Sequence, residues 1–214
     1  MPLFPSHSSD CPFCKIASAH PPSNPAKPTT LSAPPEPHST LSGTPTYILL
    51  STPRVMAFLD HAPISRGHVL VATRQHREKL SDISIEEGAA VGRWLGIVCR
   101  AVAGVALGLE CAEEGDWNVV QNNGGRAAQV VPHVHFHIIP RSGDVPEIKN
   151  RSWTIFGRGQ REELEEEDAV VLIQQMRERL EKEIEDVKNR EGEAVWKILI
   201  GSDEPDTSRG KSKL

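Results

Sequence analysis

The sequence predicts a chain of α+β class, and three observations predict it. Short apolar runs bounded by turn residues recur between positions 47 and 140, as strands do. An apolar stripe at spacings of three and four runs from Val91 to Leu109, interrupting those strands, and a second runs from Ala169 to Val187. Such stripes mark helices that bury one face.

Taken in order, residues 1–20 end in Cys11-Pro12-Phe13-Cys14-Lys15-Ile16-Ala17, and 21–46 follow with eight prolines among Ser and Thr. That stretch offers little to bury and reads as a flexible insertion, without a structural element of its own. Tyr47–Leu50 and Val55–Leu59 read as two strands around Thr52-Pro53-Arg54, and His68-Val69-Leu70-Val71-Ala72 suits a buried third. Ser84-Ile85-Glu86-Glu87 fits a capping box, with Ser84 as N-cap. The helix it opens carries Val91, Leu95, Val98, Val102, Val105 and Leu109 on one stripe, and Gly108 is placed to end it. Trp117–Gln121 and Val130–Pro140 read as strands flanking the turn Asn122-Asn123-Gly124-Gly125.

Beyond Ser142 the composition shifts. Arg161–Arg190 reads as a long helix with Ala169, Ile173, Met176, Leu180, Ile184 and Val187 in register, and acids crowd its first turns as the helix dipole favours. The resulting organisation is one domain over 1–145, a helical extension over 146–200 and a disordered tail over 201–214. The extension's stripe fits docking on its own domain or on a partner subunit. The segment Trp153–Arg161 could reach over a ligand site or pack the helix onto the domain, and buried aromatic area favours packing.

The formal net charge of -5 argues against general nucleic-acid binding, which requires a basic face. The first residues lack the basic and apolar regions of a signal peptide. No stretch reads as the roughly 18–20 apolar residues of a membrane span, so no membrane partner is expected. The expected location is the cytoplasm or nucleus, where the four cysteines would be thiols or metal ligands.

The chemistry concentrates in His133-Val134-His135-Phe136-His137. On a single strand, alternate residues face one side, so the three imidazoles would form a row while Val134, Phe136 and Ile138 face a core. Such a row can coordinate a metal, donate hydrogen bonds to phosphate oxygens or attack phosphorus.

Asn122-Asn123-Gly124-Gly125-Arg126-Ala127-Ala128-Gln129-Val130-Val131-Pro132 followed by the histidine row resembles the signature of the histidine-triad (HIT) superfamily. Ala57-Phe58-Leu59-Asp60-His61-Ala62-Pro63-Ile64-Ser65-Arg66-Gly67-His68 resembles that family's nucleoside-binding region. The resemblance implies a five-stranded antiparallel sheet with a main helix, a homodimer, and a small nucleotide as substrate. It implies His135 as the nucleophile that forms a nucleotidyl-histidine, with His137, His68 and Asn122 holding phosphate oxygens. Asp60 would take the ribose hydroxyls, and Phe58 and His61 would line the base pocket.

Two departures refine the branch. The family's transferases typically carry glutamine where this chain has His137, which favours hydrolysis. Its phosphoramidases often carry a serine where this chain has Val130, which cannot donate a proton; the neighbouring Gln129 can still hydrogen-bond and is expected among the catalytic residues with His135, His137 and His68. Cys11-x-x-Cys14 alone supplies two of the four ligands a structural zinc needs. In relatives with this pair, matching positions complete the site with His76 and His133, so a closed structural zinc is implied and no organic cofactor. Cys99 and Cys111 read as ordinary thiols. The leading expectation is hydrolysis of purine nucleoside phosphoramidates or related nucleotidyl adducts. Alternatives are a dinucleoside polyphosphate hydrolase and a nucleotide-binding regulator with vestigial catalysis.

Overall fold

Five strands form one antiparallel sheet: β1 (Ile48–Ser51), β2 (Val55–Leu59), β3 (Val69–Thr73), β4 (Asp116–Gln121) and β5 (His135–Arg141), in the order β1-β2-β3-β5-β4. This computed structural model describes residues 8–22, 38–39, 45–109, 114–143 and 164–200. Most of the proline-rich stretch, Cys111, Trp153–Arg161 and the tail lie outside those residues. The stretch expected to hold no regular structure contributes a two-residue ladder, His38–Ser39 with Pro45–Thr46.

The β1–β2 turn closes as its residues dictate. The Thr52 hydroxyl oxygen accepts from Val55 N at 2.9 Å, and Thr52 N donates to Val55 O at 2.8 Å. Both β2 and β3 are buried along their whole length, because the sheet is covered on both faces.

Helix α2 (Ile85–Ala106) opens on the expected capping box: Glu87 N donates to Ser84 Oγ at 3.1 Å, and Ser84 N donates to Glu87 Oε2 at 2.7 Å. Gly108, at φ +67°, lets Leu109 N turn back to Gly104 O. By length and composition α2 could cross a membrane, contrary to the sequence expectation. Here Val91, Trp94, Ile97, Val98 and Val102 bury its apolar face in the main core.

Helix α3 (Glu166–Ile200) runs ten residues past the expected end, bending at Gly192 (φ +86°). Ala169, Ile173, Met176, Leu180, Ile184 and Val187 are all buried, in one cluster with α2 and the sheet. Arg177 adds two donors to Ile48 O, at 2.9 and 2.6 Å. The open choice is thereby resolved: α3 docks on its own domain.

On the opposite sheet face lies α1 (Pro12–Ala19), a helix opened by a proline at N1. Phe13, Cys14, Ile16 and Ala17 pack there with Ile48, Met56, Phe58, Leu70 and Ala72. Arg74 pins its carboxy-terminal end, donating to Ala17 O at 2.7 Å and His20 O at 3.0 Å while its Nε reaches Thr52 O at 2.7 Å. The layers are therefore α2 and α3, the sheet, then α1 beside the histidines.

One expectation needs correction: β5 begins at His135, five residues later than expected, so the triad does not lie wholly on a strand. His133 N bonds to Val131 O at 2.8 Å around Pro132. Proline has no N–H to give a ladder, and the chain turns there before Val134 joins Arg77 and Thr73.

Candidate active site

The β3–β5 pairing sets the site. Leu70 stands opposite His137 and Ala72 opposite His135, so His68 at the entrance of β3 falls beside His137. Gly67 makes that entrance possible: its φ is +83°, and a Cβ there would lie 2.6 Å from Ala106 Cβ.

His135 is buried, and its Nδ1 lies 2.6 Å from His133 O. A carbonyl can only accept, so Nδ1 carries the proton and Nε2 keeps its lone pair. Burial pushes the imidazole pKa down, against smaller upward pulls from the His133 carbonyl and from Asp60. The ring is therefore neutral near pH 7, as a nucleophilic nitrogen must be.

A second chain fixes His137. Ile64 N donates to His68 Nδ1 at 3.1 Å, so His68 Nε2 bears the proton that bridges the 2.9 Å to His137 Nδ1. His137 then holds its own proton on Nε2, with its ring centroid 4.9 Å from that of His135. Asp60 stands behind this pair, with Oδ2 at 3.4 Å from His68 Nδ1 and Oδ1 accepting from Ala62 N at 3.0 Å. The arrangement offers one lone pair for attack, donors for anionic oxygens and a carboxylate to stabilise positive charge on the pair.

The remaining expected residues are placed unequally. Phe58 is buried beneath Phe13, ring centroids 5.3 Å apart. His61 is largely exposed, with Nδ1 at 3.7 Å from Asp60 Oδ1. Asn122 is half-buried just past β4. Gln129 is committed to backbone: Oε1 accepts from Gly124 N at 2.5 Å, and Nε2 donates to Glu78 O at 2.7 Å and to His133 O at 3.5 Å. It braces the glycine loop and shares the carbonyl that orients His135. Val130, at 89% exposed, points into solvent.

The sequence reading missed Phe13. Its ring meets His135 edge-on at 5.1 Å and His133 at 5.6 Å. The available signal was Pro12 opening a short helix, which places the residue between the two cysteines against the sheet.

Cys11, Cys14, His76 and His133 converge, with one ligand atom from each within 4.8 Å of the others, and all four residues are buried. Cys11 Sγ lies 3.3 Å from His133 Nδ1, and Cys14 Sγ lies 3.4 Å from His76 Nδ1 and 3.8 Å from His133 Nδ1. A tetrahedral zinc with ordinary bond lengths separates sulfur from nitrogen by about 3.6 Å. His133 Nε2 donates to Thr73 O at 2.8 Å, fixing the tautomer that turns Nδ1 toward the sulfurs. Burial pushes the Cys14 thiol up to about 11, so a thiolate there calls for a cation beside it. The donor set fits a closed four-coordinate ion.

Residues 42–144 match the HIT domain family. Over 100 residues the chain is 41% identical to the adenosine 5'-monophosphoramidase of Schizosaccharomyces pombe, spanning 47% of this chain and 68% of that one. The chain belongs to the HIT family. The corresponding enzyme of Candida albicans is 37% identical over 101 residues, 47% of this chain and 64% of that protein. A hypothetical histidine triad nucleotide-binding protein from Sulfolobus tokodaii shares the fold at TM-score 0.58 and 24% identity, covering 86% of this chain and 97% of that one.

Proposed function

We propose that this HIT protein hydrolyses purine nucleoside phosphoramidates, or similar nucleoside monophosphate adducts, through a nucleotidyl-histidine at His135. The observation that carries this reading is the Nδ1–H of His135 donating to His133 O, which leaves a buried, neutral Nε2 as nucleophile. The names of the fungal relatives, adenosine 5'-monophosphoramidases, support the substrate class.

In this reading Nε2 of His135 attacks the α-phosphorus and the phosphorus–nitrogen bond breaks. His137, through Nε2–H, and Asn122 hold the non-bridging oxygens, while His68 fixes the tautomer of His137. Asp60 retains acceptor capacity for ribose hydroxyls, since each carboxylate oxygen accepts more than one hydrogen bond. Phe58, with Phe13 above it, and His61 bound the base. Gln129 acts through His133 O and not as the proton donor, because its amide is already taken by backbone groups. Once the His68–His137 pair has taken up a proton from solvent, with Asp60 stabilising the charge, His137 can lend a proton to the departing amine and return the pair to neutrality. Water attacking the nucleotidyl-histidine releases the monophosphate and restores His135.

The ion proposed for Cys11, Cys14, His76 and His133 is a structural zinc, which ties α1 to the triad and has no open position for substrate. The protein is also proposed to pair as a homodimer through β4, whose exposed edge carries half-buried Trp117 and Val119, 43% exposed.

The deciding experiment incubates wild type and His135→Ala with adenosine 5'-phosphoramidate and, separately, with diadenosine polyphosphates. Wild type should turn over the phosphoramidate faster and yield a trapped nucleotidyl adduct on alkaline denaturing quench, which preserves the acid-labile phosphorus–nitrogen bond. His135→Ala should lose both, by roughly 10⁴-fold or more in turnover. Undiminished turnover in the variant would overturn the reading.

A further inference from the structure

Cys11 and Cys14 stand at the N-cap and third positions of α1, a placement that serves more than ligation. By helix geometry, residues three apart have Cα atoms about 5 Å apart. That is inside the roughly 4.4–6.8 Å window a disulfide spans. Their sulfurs already lie within 4.8 Å of each other. Both side chains are nearly covered, at 5% and 2% exposed, yet Ser9 and Asp10 just before them face solvent.

The pair also has two mechanical links to His135. His133 meets the cysteines with its ring and holds the His135 proton with its carbonyl. Phe13, between the cysteines in sequence, presses its ring on His135. A change of bonding at the sulfurs thus reaches the nucleophile through one peptide unit and one aromatic contact.

We propose that Cys11 and Cys14 form a reversible disulfide that opens the four-residue cluster, releases His133 and so switches the triad off under oxidation. This rests on the hydrolytic reading given above. With hydrogen peroxide as oxidant, one sulfur attacks and breaks the O–O bond, becoming a sulfenic acid. The other sulfur displaces its oxygen to form the S–S bond. Counted as thiols, the pair gives up two electrons and two protons, and the peroxide leaves as two waters. A dithiol reverses the change by thiol–disulfide exchange. Neither sulfur can then serve as a thiolate ligand, so the ion that ties His133 Nδ1 to the sulfurs is lost and the ring is held on its Nε2 side by Thr73 O.

The test uses the full chain loaded with zinc and treated with peroxide, then with dithiothreitol. The expected result is a peptide bearing Cys11 and Cys14 that is lighter by two hydrogens, and zinc released to a chromogenic chelator. The ¹⁵N signals of the His135 ring should move away from the Nδ1–H tautomer. Turnover of adenosine 5'-phosphoramidate should fall about tenfold or more, the scale typical when an outer-shell partner is lost. Dithiothreitol with zinc should restore all four. Cys11→Ser cannot close the bridge, so peroxide should leave its His135 signals in place, whereas Cys99→Ala should respond like wild type. Peroxide treatment without a Cys11–Cys14 bridge overturns the switch, as does a bridge that leaves the His135 signals unmoved. If the reduced protein turns over no phosphoramidate, the hydrolytic reading fails. The bridge, the released metal and the ring signals still judge the switch.

Discussion

His135 owes its reactivity to two opposed influences, and their balance has a pH signature. Burial disfavours the imidazolium, whereas the His133 carbonyl and Asp60 favour it more weakly. Protonation at Nε2 would remove the attacking lone pair, so activity is lost as pH falls through the depressed pKa. With adenosine 5'-phosphoramidate, kcat/KM should stay level from pH 8 toward 7 and drop with a midpoint below about 6.5, the ordinary histidine value. An acid limb centred above that value would contradict the burial argument. His135 and His137 were legible in the sequence because strand alternation is a local property. Gln129 was expected at the site, but its bracing role was not legible, because its partners Glu78 and Gly124 come to it only through the fold. Phe13 escaped for the same reason: its meaning lies in what α1 covers.

At the level of elements, the helix faces were legible and four of the five strands lie within one residue of their expected ends, whereas α3 overruns its expected end by ten residues and β5 starts five late. The α2 capping box and the α3 stripe are repeated local patterns, and each falls where spacing put it. The start of β5 was misplaced because alternation persists through Val130–His133 while Pro132 turns the backbone. The docking of α3 gives a clean test. Ile173→Ala, at a fully buried position, should cost about 2–5 kcal/mol in denaturant unfolding. It should leave the phosphoramidate kcat near wild type, because α3 and the histidines lie on opposite sheet faces. Gly67→Ala should be destabilising and impair turnover together, since its Cβ would strike Ala106 while straining the residue that leads into His68. A Gly67→Ala enzyme as active and as stable as wild type would sink that account.

Across the whole molecule, the α+β class and the five-strand sheet were legible, whereas the joining of distant parts was not. Residues 11, 14, 76 and 133 are scattered along the chain, and spacing alone could not bring them together; the fold does. Removing the proposed zinc with a chelator should lower the melting temperature and restore it on readdition, since an ion bound only by the folded state adds its binding free energy to folding. A melting temperature indifferent to both steps would argue against an ion there.

The burial of β1 under α3 has a consequence for assembly. All four β1 residues are buried, and Ile48 O is occupied by Arg177, whereas β4 carries exposed Asp116 and Val119 among half-buried neighbours. A sheet open at both edges can recruit neighbours without limit and grow into a fibre. Among the described residues the β1 border is covered and the β4 border is not, so a strand-to-strand joining of two copies through β4 would use up the open border of each. Growth then terminates at a closed, two-fold pair.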